Sequence, residues 1–288
     1  MSRLNYLAIM CDDPAGTRDW YQRWFGMEEL NRTPQGTVYI TDGHFSVGLL
    51  HRGSAPGEDD HERGVHHFGF QIDDVMEIER NLEDFDPSLR IERRPSEDPY
   101  AQYRVTDPEG IVVDLSERGY GVDGVQSIPS IRHLATCNVD LPRKHAFYLQ
   151  VLGMRDVTRT EEEIDRQTRM TLGEVPSDFQ RVDRPVPFAG DGFVNLAILR
   201  SAAQGERSLD RGRGRGRASW FDHFGMLVPD PLGLLTEIRA AEPSDEPMDV
   251  RPPERQVEYG VKDPEGNRLD LSGAKGWKVD VDKWARVE

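Results

Sequence analysis

The chain has 288 residues, a formal net charge of −16 and two cysteines. That charge repels polyanions, so neither nucleic acid nor an anionic membrane is expected as a partner of the surface as a whole, and Cys11 and Cys137 alone supply neither a disulfide framework nor a thiolate zinc site. No segment reaches the apolar length of a membrane span and Met1-Ser2-Arg3-Leu4 lacks the apolar run of a signal peptide, so a cytoplasmic protein of two ordinary-sized domains is expected.

In chain order, Leu4 to Cys11 reads as a strand. Asp13-Pro14 then supplies an N-cap and a first-turn proline, and Gly26 sits where a helix C-cap belongs. Between them Trp20, Tyr21, Trp24 and Phe25 form an apolar stripe at helical spacing, read as helix-to-sheet core. Strand-like runs follow at Thr37 to Ile40 and Phe45 to Leu50. The pattern restarts with a strand from His66 to Ile72, a helix with Val75, Ile78 and Leu82 inward, and strands around Tyr103 to Thr106 and Ile111 to Leu115. Asp107-Pro108-Glu109-Gly110 suits the type I turn joining the last two. This half is therefore two units of strand, helix and three strands.

The second half repeats the first. His67-Phe68-Gly69-Phe70 returns as His223-Phe224-Gly225-Met226, and the run from Asp107-Pro108-Glu109-Gly110 to Asp114-Leu115-Ser116 returns as Asp263-Pro264-Glu265-Gly266 to Asp270-Leu271-Ser272. His67 precedes Asp107 by 40 residues, as His223 precedes Asp263. The front anchors, Tyr21 and Tyr148, are offset by 127 residues and the later ones, His67 and His223, by 156, so the second copy carries 29 extra residues between Gly153 and His223. They include Glu161-Glu162-Glu163, a proline-rich stretch from Pro176 to Pro187, and alternating Arg and Gly from Arg211 to Arg217, which cannot form a core and reads as a solvated loop, or as a lid before His223. Asp59-Asp60-His61-Glu62 reads as a solvated acidic loop.

This doubled pattern, with a strand-opening His, an Asp-Pro-Glu-Gly turn and an acidic residue four positions after its glycine, resembles the vicinal oxygen chelate superfamily. That group holds glyoxalase I, bleomycin and fosfomycin resistance proteins, methylmalonyl-CoA epimerase and type I extradiol dioxygenases. The resemblance covers roughly residues 3 to 119 and 130 to 275. It implies an α+β fold of four βαβββ modules in two tandem domains, residues 1–122 and 130–275, with a linker at 123–129, an inserted loop at about 174–218 and a tail at 276–288. It also implies a divalent-metal-dependent enzyme acting on a small vicinal-oxygen substrate, aromatic ones included, by dioxygenase-like or lyase/isomerase-like chemistry. The alternative is a non-catalytic binding protein of the bleomycin-resistance type. A homodimer is compatible with either.

The superfamily's metal ligands occupy the first strand of a half, the strand opening its second module and its final strand. Those places here are His133, His223 and Asp270 in the second half, and Tyr6, His67 and Asp114 in the first, where the triad is incomplete. A cross-half pairing, as in fosfomycin-resistance proteins, would instead join His133 to His67 and Asp114. Two histidines and a carboxylate suit Fe(II) first, with Mn(II), Zn(II) or Ni(II) as substitutes. Strand parity agrees: His223 shares a face with Gly225, and His133 with Ala135 and Cys137, so small residues flank each candidate ligand.

Two departures bear on chemistry. The family's carboxylate is nearly always Glu, and both halves carry Asp. Extradiol dioxygenases place a catalytic His on the last strand of the third module, whereas Gly192 to Ala197 contains none. Tyr259, just before the final turn, is then the candidate proton-transfer residue, ahead of His145, and orthodox catechol cleavage is not expected.

Overall fold

The computed structural model describes residues 2–53, 62–95, 98–122, 124, 128–175, 177, 186–201 and 220–279. The Arg/Gly run, most of the linker and of the inserted loop, and residues Asp59 to His61 lie outside the described residues.

The first half runs β1 (Arg3–Cys11), α1 (Pro14–Phe25), β2 (Glu28–Arg32), β3 (Val38–Thr41), β4 (Ser46–His51), β5 (Gly64–Gln71), α2 (Val75–Phe85), β6 (Ile91–Arg93), β7 (Tyr103–Thr106) and β8 (Val112–Ser116). The second runs β9 (Ser130–Asn138), α3 (Leu141–Gln150), β10 (Arg155–Asp156), α4 (Glu161–Leu172), β11 (Phe188–Gly190), β12 (Asn195–Arg200), β13 (Trp220–Leu227), α5 (Pro231–Ala241), β14 (Asp249–Val250), β15 (Tyr259–Lys262) and β16 (Arg268–Ser272). Each half is an eight-stranded mixed sheet, ordered β2-β3-β4-β1-β5-β8-β7-β6 and β10-β11-β12-β9-β13-β16-β15-β14. Two βαβββ modules thus join edge to edge through the antiparallel pairs β1–β5 and β9–β13, giving the α+β tandem architecture that the repeat implies.

Local chemistry sets the helix ends. Asp13, Asp74, Asp140 and Asp230 each cap a module helix by accepting from a backbone N–H of its first turn, and three of the four helices carry proline at their first or second position. Gly26 closes α1 with φ +65°, the left-handed conformation that a glycine adopts without penalty. The extra helix α4 was not foreseen. Its signal is the capping box in which Thr160 and Glu163 satisfy each other's backbone N–H groups.

One face of each sheet packs against the helices, and the two halves share that apolar core. Phe68 and Phe70 of β5 meet Tyr148 of α3, and Phe68 meets Phe221 of β13, at centroid distances of 6.1–6.5 Å. The duplicated turns clasp the halves together reciprocally. Tyr148 donates to Asp107 at 2.8 Å, and Tyr21 to Asp263 at 2.7 Å. Lys144, wholly buried, pairs with Asp107 at 2.8 Å. The Leu4 N–H donates to Asp191 and the Ile131 N–H to Asp42, so the same strand position in each half is held by the other half's hairpin turn. No helix among the described residues is long and apolar enough to cross a membrane.

Candidate metal centre

Three neighbouring strands assemble the second half's triad on the face turned away from the helices. His133 of β9 lies opposite Gly225 of β13, which lies opposite Asp270 of β16, and His223 stands two residues before that glycine on the same face. His133 Nε2 is 3.1 Å from His223 Nε2, and His223 Nε2 is 3.3 Å from Asp270 Oδ2. All three side chains are buried.

Their outer partners decide which atoms face inward. Asn195, opposite His133 on β12, turns its amide oxygen to His133 Nδ1 at 2.5 Å. Asp222 accepts from His223 Nδ1 at 2.5 Å. Both Nδ1 atoms therefore carry a proton, and the two Nε2 atoms are turned toward each other. Burial, reinforced by nearby His223, pushes the His133 imidazole down to about 3, so it is neutral near pH 7. Burial would raise Asp270, but His223 and Arg251 outweigh it and hold the carboxyl below its usual range. Arg251 holds Asp270 Oδ1 and leaves Oδ2 toward His223. It reaches Asp270 across Gly260, where a Cβ would stand 2.5 Å from Arg251 Nη2.

Among the described residues no three His, Cys, Asp or Glu side chains close into a finished metal cage. The donors nevertheless fit a divalent ion. The two imidazole Nε2 atoms stand 3.1 Å apart, and nitrogens each about 2.1 Å from one ion at a right angle would lie about 3.0 Å apart. Asp270 Oδ2 supplies an anionic oxygen beside them.

The first half builds the same scaffold and closes it. Tyr6, opposite Gly69, takes the place of His133, and Tyr120 stacks on it at 4.4 Å and 4°. His67 Nε2 lies 3.0 Å from Asp114 Oδ2, whose carboxylate Arg104 grips through Nε and Nη2 at 2.6 and 3.0 Å. The set His133, His67 and Asp114 is not brought together: His67 sits beside Asp114 in its own sheet, and His133 faces His223. Burial alone would raise Asp114, but His67 and Arg104 hold it well below the usual carboxylate range. The ionised form is thus favoured by folding, a contribution fully present above the unfolded value of about 3.9 and lost as pH falls below it. In denaturant titrations, Asp114→Asn is expected to be less stable at pH 7 and to show a shallower fall from pH 4 to pH 2 than the unchanged protein. Equal acid slopes would contradict this.

Tyr259 requires correction. It pairs with Leu271 and packs against the helix-side core, because Gly260 is the residue opposite Asp270 and strand alternation turns Tyr259 to the other face. His145 on α3 lies 3.1 Å from the Phe188 carbonyl, away from the triad's inward nitrogens. Sequence reading missed Asn195, Asp222, Arg251 and Trp277. Trp277 stacks on the His133 ring at 5.5 Å and 7°, over Gly225, where a Cβ would meet the indole at 2.4 Å. The signal for it was the recurrence of Gly at 69 and 225, each leaving room for an aromatic that follows the final strand.

Two tandem βαβββ domains, one holding a converging His pair beside a carboxylate, define a vicinal-oxygen-chelate architecture. Residues 3–115 match the model of the Glyoxalase/Bleomycin resistance protein/Dioxygenase superfamily. The match covers the first domain, and the second domain repeats the fold of the first. It is similar in fold to the 2,3-dioxygenase LapB from Pseudomonas sp. KL28, with a TM-score of 0.63 and 15% identity over 97% of this chain and 94% of that one. Homoprotocatechuate 2,3-dioxygenase from Arthrobacter globiformis gives 0.59 and 16% over 98% and 82%. The Mn(II)-bound glyoxalase from Novosphingobium aromaticivorans gives 0.62 and 14% over 98% and 86%. Comparison with curated proteins returned no match.

Proposed function

We propose that the protein is a metal-dependent enzyme of this superfamily in which His133, His223 and Asp270 hold one divalent ion, Fe(II) or Mn(II), for a small substrate with two adjacent oxygens. The observation that carries this reading is the pair of Nε2 atoms facing each other at 3.1 Å, each ring oriented by an outer partner on Nδ1. When bound, the ion would act as a Lewis acid on chelating substrate oxygens. Asn195 and Asp222 hold the imidazoles in the tautomer that accepts it, and Arg251 orients the carboxylate.

Mechanism within the superfamily follows from what two of the described positions present. The segment Phe193 to Ala197 presents Asn195 rather than an acid or base, and Tyr259 faces the core, so neither can manage the proton released as a catechol ring opens. A vicinal diketone, hydroxyketone or hydroxyquinone is the better substrate class. Protein purified without chelator is expected to take up about one Mn(II) or Fe(II) per chain by calorimetry, and the Fe(II)-loaded form to consume oxygen slowly with simple catechols. Failure to take up either ion would refute the metal assignment, and fast oxygen uptake would refute the substrate class.

A further inference from the structure

The segment after β16 does not leave the domain. Trp277 and Val279 are 6% and 2% exposed, and the chain runs back across the face that carries His133. Its anchors are independent of one another. The Lys278 N–H donates to Gln256 Oε1 at 3.0 Å, and Lys278 Nζ pairs with Glu163 of α4 at 3.0 Å. Gly190 leaves room for the Val279 carbonyl, which would stand 2.8 Å from a Cβ there. The Lys278 carbonyl in turn accepts from Asn195 Nδ2 at 2.6 Å.

That last bond has a chemical consequence. A side-chain amide can turn over and offer either its oxygen or its NH2 to a neighbour. A backbone carbonyl only accepts, so Lys278 holds Asn195 with Nδ2 outward and Oδ1 toward His133 Nδ1. His133 must then keep its proton on Nδ1 and present a bare Nε2. With the carbonyl withdrawn, the amide is free to flip, its NH2 would donate to Nδ1, and the proton would move to Nε2, which closes the lone pair.

We propose that Asn195 is a positioning residue for the metal site, and that the C-terminal segment Gly276–Val279 belongs to that site because its Lys278 carbonyl sets the tautomer of His133. This rests on the reading of His133 as a metal ligand. It assigns a function to a stretch that sequence reading leaves as a tail, and links the inserted helix α4 to the centre through Glu163 and Lys278.

The test uses the full chain with Mn(II) alone as probe, calorimetry for affinity, and imidazole 15N resonances of the metal-free protein for the tautomer. Asn195→Leu has no acceptor for Nδ1–H and is expected to bind Mn(II) about 10–100-fold more weakly, the usual effect of losing an outer-shell partner, with the His133 Nε2–H form appearing. Asn195→Asp can only accept, so it is expected to keep the Nδ1–H tautomer and bind within about threefold of the unchanged chain, although its bond to Lys278 is gone. Trp277→Ala, which loosens the segment, is expected to weaken binding about tenfold beside Asn195 and less than about threefold in the Asn195→Asp background. Equal losses in both backgrounds, or an Asn195→Leu protein with unchanged tautomer and affinity, would overturn the proposal alone. An unchanged chain that takes up no Mn(II) would overturn the metal reading and the proposal with it.

Discussion

His133→Ala and His223→Ala are each expected to reduce Mn(II) or Fe(II) uptake to background, whereas His67→Ala retains about one ion per chain. Each of the first two removes one of the two nitrogens that meet at 3.1 Å. Losing a ligand costs more than the about 10–100-fold that follows loss of an outer partner, and it leaves Asp270 tied to Arg251 with a single imidazole beside it. His67 is different. Its carboxylate neighbour Asp114 is already gripped by Arg104, and Tyr6 stands where a second imidazole would be needed. Metal analysis of the three purified variants decides the matter. Undiminished metal in His223→Ala, or loss of metal in His67→Ala, would overturn the site.

The largest effect on stability is expected from Asp107→Ala, a loss of about 4 kcal/mol. Its carboxylate is shared by its own turn and helix α3. Oδ1 accepts from the Glu109 and Ile111 N–H groups of its own turn, and Oδ2 accepts from Tyr148 and pairs with Lys144. Removing it strands a buried ammonium, and breaking a buried ion pair from one side typically costs about 3–5 kcal/mol. The repeat supplies an internal control. Asp263 makes the equivalent turn bonds through Asn267 and accepts from Tyr21, but the residue at the place of Lys144 is Thr17, which donates to Glu265 instead. Asp263→Ala removes no partner of a lysine at that place and is expected to cost about 2 kcal/mol. Adding Lys144→Met to Asp107→Ala is expected to recover most of the difference, because an apolar replacement removes the buried charge. Urea titrations of the four proteins test this order. An Asp107→Ala cost no greater than that of Asp263→Ala would show that Lys144 is not the reason.

What the amino-acid order determined by itself is whatever depends on near neighbours and on period. Alternation marked the strands, Asp13-Pro14 marked the start of a helix, and the doubled His-Phe-Gly and Asp-Pro-Glu-Gly segments revealed two copies of one unit in matching register. Parity alone correctly turned His133, His223 and Asp270 to the face away from the helices, because side chains alternate strictly along a strand. Tyr259 failed by that same rule: the residue opposite Asp270 is set by the β15–β16 register, which pairs it with Gly260 one position later. The remaining decisions belong to tertiary structure. Asp107 and Asp263 look like turn residues, and only the packing of one half's helix on the other half's turn makes them clasps. Gly225 looks like a gap beside a histidine until Trp277 fills it from 52 residues downstream, and Asn195 looks inert until it bridges His133 and Lys278, 62 residues before it and 83 after. Such partners meet because the sheet order brings β12, β9, β13 and β16 side by side. Propensity and periodicity act over a few residues and carry no information about which distant segments a sheet will place in contact.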